Sequence, residues 1–240
     1  MKLTEYKITS KTNIKIALLA DLHKKPYGNA LSLIKEASPD VILSAGDMMD
    51  RLVGESIYAS ENENALILLS ECAKLAPVFY SIGNHERGIS AKNKKLFSDL
   101  GIKALDNEYD SFRDIYIGGL TSGLIYNKNP RTKSSVPKTD FIEKFAKLRG
   151  VKILLSHNPE YWERYIKNTD IDITLSGHAH GGQWRFFGRG IYAPGQGLFP
   201  KYTDGVTDSR LVISRGMANT VFVPRLFNPC EVVLITLFKV

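Results

Sequence analysis

Apolar runs of strand length recur along this chain and alternate with stretches of helical spacing. Residues 14–20, 41–45, 78–82, 115–118, 153–156 and 173–176 predict strands, and several lack polar alternation, which implies burial on both faces. Between them, residues 30–37, 62–74, 90–100 and 139–148 predict helices. Ser60 and Glu63 read as a capping box for the second, and Gly101 and Gly150 as stops for the third and fourth. Strands alternating with helices predict α/β layers. In the last third, residues 211–214, 221–223 and 232–238 predict strands joined by Gly/Pro loops, so a second sheet is expected to close against the first.

Composition narrows this picture. With 240 residues, 43% of them hydrophobic, the chain is long enough for one substantial core, and a single domain over 1–240 is expected. The formal net charge of +7 favours an anionic partner: a phosphorylated metabolite, a nucleic acid or an acidic lipid surface. The two cysteines, Cys72 and Cys230, exclude a disulfide framework and a Cys-rich zinc site, and both are expected to be buried thiols. Residues 1–13 are polar with three lysines, unlike a secretory leader. The longest apolar run, 232–238, falls far short of the roughly 20 residues that cross a bilayer. The expectation is a soluble chain in a bacterial cytoplasm, with peripheral membrane or cell-envelope association left open if an N-terminal segment was removed.

The chemistry sits where the strands end. Asp21-Leu22-His23 follows the first strand, Gly46-Asp47-Met48-Met49-Asp50 the second, and Gly83-Asn84-His85-Glu86 the third. Ser156-His157-Asn158-Pro159 and Gly177-His178-Ala179-His180-Gly181-Gly182-Gln183 follow two later ones. All five histidines of the chain lie in these clusters, on the strand edge where α/β sites form. Extended backbone through Asp21-x-His23 and His178-x-His180 would send each pair of side chains the same way. Imidazole and carboxylate suit Mn²⁺, Fe or Zn²⁺, and one aspartate can bridge two ions about 3.5–4 Å apart. Gly46, Gly83 and Gly177 let the backbone turn sharply before the polar residues.

The ordered blocks Asp-x-His, Gly-Asp-x-x-Asp, Gly-Asn-His-Glu, His and Gly-His-x-His, over residues 21–183, resemble the calcineurin-like metallophosphoesterase superfamily. The resemblance implies a four-layer α/β/β/α sandwich of two mixed sheets flanked by helices, the metallo-dependent phosphatase fold. It implies two divalent metal ions, one held by Asp21, His23, Asp47 and His180 and the other by Asp47, Asn84, His157 and His178, with Asp47 as the bridge. It also implies His85 as the catalytic histidine, Glu86 as the acid that orients it, and a metal-bridging hydroxide as nucleophile on a phosphodiester or pyrophosphate bond. Asp50, Asn158, Gly181 and Gln183 are expected to support ligands or shape loops, and Arg87, Lys24 and Lys25 to be solvated or to meet a substrate phosphate.

The tail is similar to the bacterial YkuE/YaeI-like phosphodiesterase branch. Its residues are His180-Gly-Gly-Gln, Ala193-Pro-Gly-Gln-Gly, Pro200-Lys-Tyr, Ser214-Arg-Gly and Arg225-Leu-Phe-Asn-Pro. That likeness admits a small-molecule or lipid-linked substrate such as that of a UDP-2,3-diacylglucosamine pyrophosphatase. A nuclease and a non-catalytic metal-binding scaffold are the alternatives, and no obligate protein partner is evident. Loops 124–136 and 186–204 are expected to set the substrate. Their aromatics Phe186, Phe187, Tyr192, Phe199 and Tyr202 are expected to be packed, the alternative being the lining of a lipid or base pocket.

Overall fold

The non-alternating apolar runs become the central strands of two six-stranded sheets in a computed structural model of the chain, which describes residues 1–123 and 136–239. In chain order the first elements are β1 (Lys2–Thr9), β2 (Ile14–Leu19), α1 (Ala30–Ala37), β3 (Val41–Ser44), α2 (Glu63–Ala73), β4 (Val78–Ser81) and α3 (Ala91–Asp99). Next come β5 (Ile102–Leu105), β6 (Glu108–Phe112), β7 (Ile115–Leu120), α4 (Thr139–Ala146), β8 (Val151–Ser156) and β9 (Ile173–Ser176). Two small hairpins follow, β10 (Arg185–Phe186) with β11 (Arg189–Gly190) and β12 (Tyr192–Ala193) with β13 (Gly197–Leu198). The last strands are β14 (Gly205–Thr207), β15 (Leu211–Ile213) and β16 (Glu231–Phe238). One sheet has the order β1-β16-β2-β3-β4-β5 and the other β14-β15-β9-β8-β7-β6. Both are mixed: β16–β2, β14–β15 and β6–β7 are antiparallel and their other neighbours parallel.

Period-two geometry sorts each central strand onto two buried faces. Ile16, Leu18 and Leu43 meet Ile117, Ile153, Leu155 and Leu175 in a core between the sheets. The alternate residues Ala17, Leu19 and Ile42 pack outward against Ile34 of α1 and Leu68, Leu69 and Cys72 of α2. On the opposite side Leu154 and Ile213 pack against Phe141 and Phe145 of α4 and against Trp162, which opens a π-turn over Trp162–Ile166. The layers are therefore α/β/β/α.

Several expectations change. Residues 232–238 do not build the second sheet; as β16 they enter the first, between β1 and β2, while 221–223 form an exposed loop. Strands β1 and β6 are sheet edges with many exposed positions, so they lack the apolar run that marks a buried strand. The Ser60/Glu63 box is not formed: a 3-10 turn over Ser60–Asn62 precedes α2, whose N-cap Asn62 makes no side-chain cap bond. The Asn62 amide instead accepts from Asp50 N–H at 2.9 Å and donates to Asp50 C=O at 3.3 Å, which ties down a loop of the polar edge. Ser90 does cap α3, accepting from Asn93 N–H at 3.2 Å. Cys72 is buried, but Cys230 is only half-buried. Of the 124–136 loop, all but Val136 lies outside the described residues. Among the described residues no helix is long and apolar enough to cross a membrane.

Leu155 is fully buried between the sheets. Leu155→Ala is expected to cost about 2–5 kcal/mol of stability, read as a lower urea midpoint with an unchanged slope.

Candidate metal centre

Loops leaving β2, β3 and β4 of one sheet and β8 and β9 of the other converge at one edge, where backbone and side-chain bonds join the two layers. Asp21 N–H donates to Gly46 C=O at 3.1 Å and His23 N–H to Asp47 C=O at 3.0 Å. Across the sheets, Ser122 N–H donates to Ile82 C=O at 3.0 Å, and His178 N–H donates to Asp21 Oδ2 at 3.0 Å. These bonds satisfy buried loop backbone and bring all five histidines to one place.

Asp21, His23 and His180 form one group that could hold a metal ion, and Asp47, His157 and His178 form another. Asp47 Oδ2 lies between them, 3.0 Å from His157 Nε2 and 4.0 Å from His23 Nε2. His180 Nε2 is 3.6 Å from Asp21 Oδ1, and His178 Nδ1 is 3.2 Å from His157 Nε2. The Asp21/His23 pair thus converges on one group, whereas His178 and His180 divide between the two. The backbone there is not extended: Asp21, His23, Asp47, His178 and His180 all have positive φ, between 47° and 66°. Left-handed backbone at non-glycine residues costs about 1–3 kcal/mol each, and here it falls on ligand-type side chains.

The donor set fits metal ions. His23 Nε2 and Asn84 Oδ1 are buried with no hydrogen-bond partner among the described residues, as atoms kept for a cation would be. The opposite ring nitrogens are held in place. His157 Nδ1 is 3.0 Å from Ala45 C=O, and His23 Nδ1 is 3.5 Å from Asp50 Oδ1, which leaves each Nε2 facing inward. Burial lowers the pKa of His178, and burial together with Arg225 lowers that of His180 to about 4, which favours neutral imidazole, the ligating form. For His157, burial acts downward but the Asp47 carboxylate prevails and raises it to about 10.

His85 stands at the rim with its side chain 53% exposed, and its Nδ1 is 3.1 Å from Asp50 Oδ1. Despite burial, contact with His23 and His85 holds Asp50 well below the usual carboxylate range, so it accepts the hydrogen bond and His85 Nε2 is left to face outward. The carboxylate that contacts the His85 imidazole is therefore Asp50, not Glu86 as the resemblance implies. Glu86 is fully buried and accepts from Gly83 N–H at 2.8 Å, Asp47 N–H at 3.0 Å, Met49 N–H at 3.1 Å and the Tyr80 hydroxyl. Burial and the adjacent Asp47 raise its pKa to about 7. Glu86 organises the loops around Asp47.

Other side chains brace these loops. Asn158 accepts from Ser122 Oγ at 2.6 Å, and the Gln183 amide donates to Val223 C=O at 2.6 Å. Arg225 and Asn228 were given no role by the sequence, although they lie in the Arg-Leu-Phe-Asn-Pro motif. Arg225 Nη2 is 3.1 Å from His180 Nδ1, and Asn228 Nδ2 donates to His180 C=O at 2.7 Å. Lys24, Lys25 and Arg87 are exposed.

Of the three glycines, only Gly46 has positive φ; Gly83 and Gly177 are required by close approach. A Cβ on Gly83 would stand 2.2 Å from Asp47 Oδ1, and one on Gly177 2.6 Å from Asp21 Oδ2. Gly83→Ala is expected to weaken Mn²⁺ binding at least about tenfold in chelator competition. Gly54→Ala, with nothing within 4 Å of the added Cβ, should bind as the wild type does.

Residues 14–182 match the family model described as calcineurin-like phosphoesterase. The phosphodiesterase YaeI of Escherichia coli is 29% identical over 71% of this chain, which spans 62% of the length of YaeI. The uncharacterized protein YpbG of Bacillus subtilis is 27% identical over 96% of this chain and 83% of its own. Among solved structures, a sulfate thiohydrolase SoxB superposes with a TM-score of 0.44 at 13% identity over 73% of this chain and 49% of its own. By the family match, this chain belongs to the calcineurin-like phosphoesterases.

Proposed function

We propose that the chain is a dinuclear-metal phosphodiesterase. The observation that carries this reading is the position of Asp47 Oδ2 between two carboxylate–histidine groups, with His85 exposed beside them. Asp21, His23, Asp47 and His180 would hold one ion and Asp47, Asn84, His157 and His178 the other. Mn²⁺, Fe and Zn²⁺ all suit this donor set. Such ions supply an activated water and neutralise charge on the phosphoryl oxygens.

The remaining work falls to the chain's own residues. Asp50 fixes His85 through Nδ1, so that Nε2 can deliver a proton to the departing alkoxide or bind a phosphoryl oxygen. Glu86, with its four donors, keeps Asp47 and the Gly83 turn in register. The choice of a diester over a monoester is supported by the likeness to a protein named phosphodiesterase.

Mn²⁺-dependent hydrolysis of bis-p-nitrophenyl phosphate, compared with p-nitrophenyl phosphate, tests the reading. His85→Ala is expected to lower kcat by about 10²–10⁴-fold with metal content retained, and Asp47→Ala to abolish turnover with loss of metal. Asp50→Asn should lower kcat more than it changes KM, with a smaller loss than His85→Ala. Full metal loading with no hydrolysis of either ester would refute it.

A further inference from the structure

The loops beside His180 end in apolar tips that the protein does not cover. Phe187 and Phe222 are fully exposed, at 105% and 104%, and Phe199 and Phe227 nearly so, at 77% and 79%. Packing was the expectation for the aromatics of 186–204, and of these only Tyr202 is buried. The loops that carry these tips are joined into one rim, with Ile191 N–H donating to Trp184 C=O at 2.9 Å and Phe199 N–H to Ile191 C=O at 2.8 Å. Trp184 pairs with Leu226 in a β-bridge, the Phe186 and Phe227 ring centroids are 6.0 Å apart, and Trp184 Nε1 donates to Pro224 C=O at 2.9 Å. The surface adjoins the metal centre: β10 follows the His180–Gly182 turn directly, and Arg225 and Asn228 of the second loop contact His180.

Charge selects what covers it. Residues 181–203 and 215–230 contain Arg185, Arg189, Lys201, Arg215 and Arg225 but no aspartate or glutamate. Arg185, Lys201 and Arg215 are paired with Asp204, Glu163 and Glu231. Arg189, on the strand behind the Phe187 tip, is exposed. Lys24, Lys25 and Arg87, next in sequence to or one residue beyond the site histidines His23 and His85, are exposed too, with Lys24 3.9 Å from Glu61. Convex phenylalanine tips with a tryptophan at their base and arginine and lysine around them match an acyl–headgroup boundary. Fully exposed rings on separate loop tips do not form the groove a peptide helix would need.

We propose that this rim docks on the surface of an anionic phospholipid bilayer, with Phe187, Phe199, Phe222 and Phe227 entering the interface and Arg189 meeting lipid phosphates. Docking in this way turns the metal centre toward the membrane. The proposal goes beyond the phosphodiesterase reading, and its test does not use catalysis.

The experiment is sedimentation of the full chain with vesicles of mixed phosphatidylcholine and phosphatidylglycerol, with tryptophan emission as a second readout. Trp162 is buried and Trp184 is 39% exposed, so Trp184 is the reporter. The expected result is binding to the mixed vesicles with blue-shifted emission, and weaker binding to pure phosphatidylcholine. Phe187→Ser with Phe222→Ser should reduce the bound fraction at least about tenfold, and Arg189→Glu should weaken binding to the mixed vesicles. The double variant should keep the far-UV circular dichroism and urea midpoint of the wild type, showing that it folds. Wild type that stays in the supernatant overturns the proposal, as does binding unaffected by the double substitution. It is equally overturned if the tips instead hold two copies of the chain together, seen as a dimer that the double variant dissociates and that does not bind vesicles.

Discussion

Everything at the polar edge depends on where the Asp47 carboxylate is held. Oδ1 accepts from His85 N–H at 2.8 Å, Oδ2 faces His157 and His23, and the residue's own N–H donates to Glu86. A side chain at position 83 would occupy the same space as Oδ1. These contacts place one acidic group where loops from both sheets meet. The two-sheet core fixes the relation between those loops, because β3 and β8, which lead to Asp47 and His157, both contribute to the inter-sheet core through Leu43, Ile153 and Leu155. Packing energy over the whole sandwich thus supports a cluster whose members would otherwise disfavour one another: buried carboxylates, crowded imidazoles and left-handed backbone.

Much of this was legible in the sequence. The buried parallel strands announced themselves as unbroken apolar runs, and the histidines marked the edge on which they end. Edge strands β1 and β6 were not legible, because residues half-exposed on a sheet edge follow no pattern that separates them from a polar loop. The fate of residues 232–238 was equally hidden: the run reads as a strand, but its insertion between β1 and β2 is a long-range pairing that local composition does not encode.

Within the site, residue types were readable and pairings were not. Glu86 is adjacent to His85 in sequence, yet its side chain turns inward to the Asp47 and Gly83 amides, and the more distant Asp50 reaches the imidazole. The resemblance pointed to Glu86, but hydrogen bonds to the Asp47 and Gly83 amides commit its carboxylate to the interior and leave the rim imidazole to Asp50. Likewise, Ser60 and Glu63 read as a capping box, yet the box is not formed and the Asn62 amide between them is committed to the Asp50 backbone. Arg225 and Asn228 lie in the Arg-Leu-Phe-Asn-Pro motif, but nothing in that motif marks a pairing with His180, some 45 residues earlier; the contacts arise from the return of the loop before β16.

The most direct test of a metal pair bridged by Asp47 is anomalous-difference crystallography of the protein loaded with Mn²⁺. Two peaks about 3.5–4 Å apart, one beside Asp21, His23 and His180, the other beside Asn84, His157 and His178, with Asp47 touching both, are predicted. A single peak in fully loaded protein, or two peaks without Asp47 between them, would contradict the account.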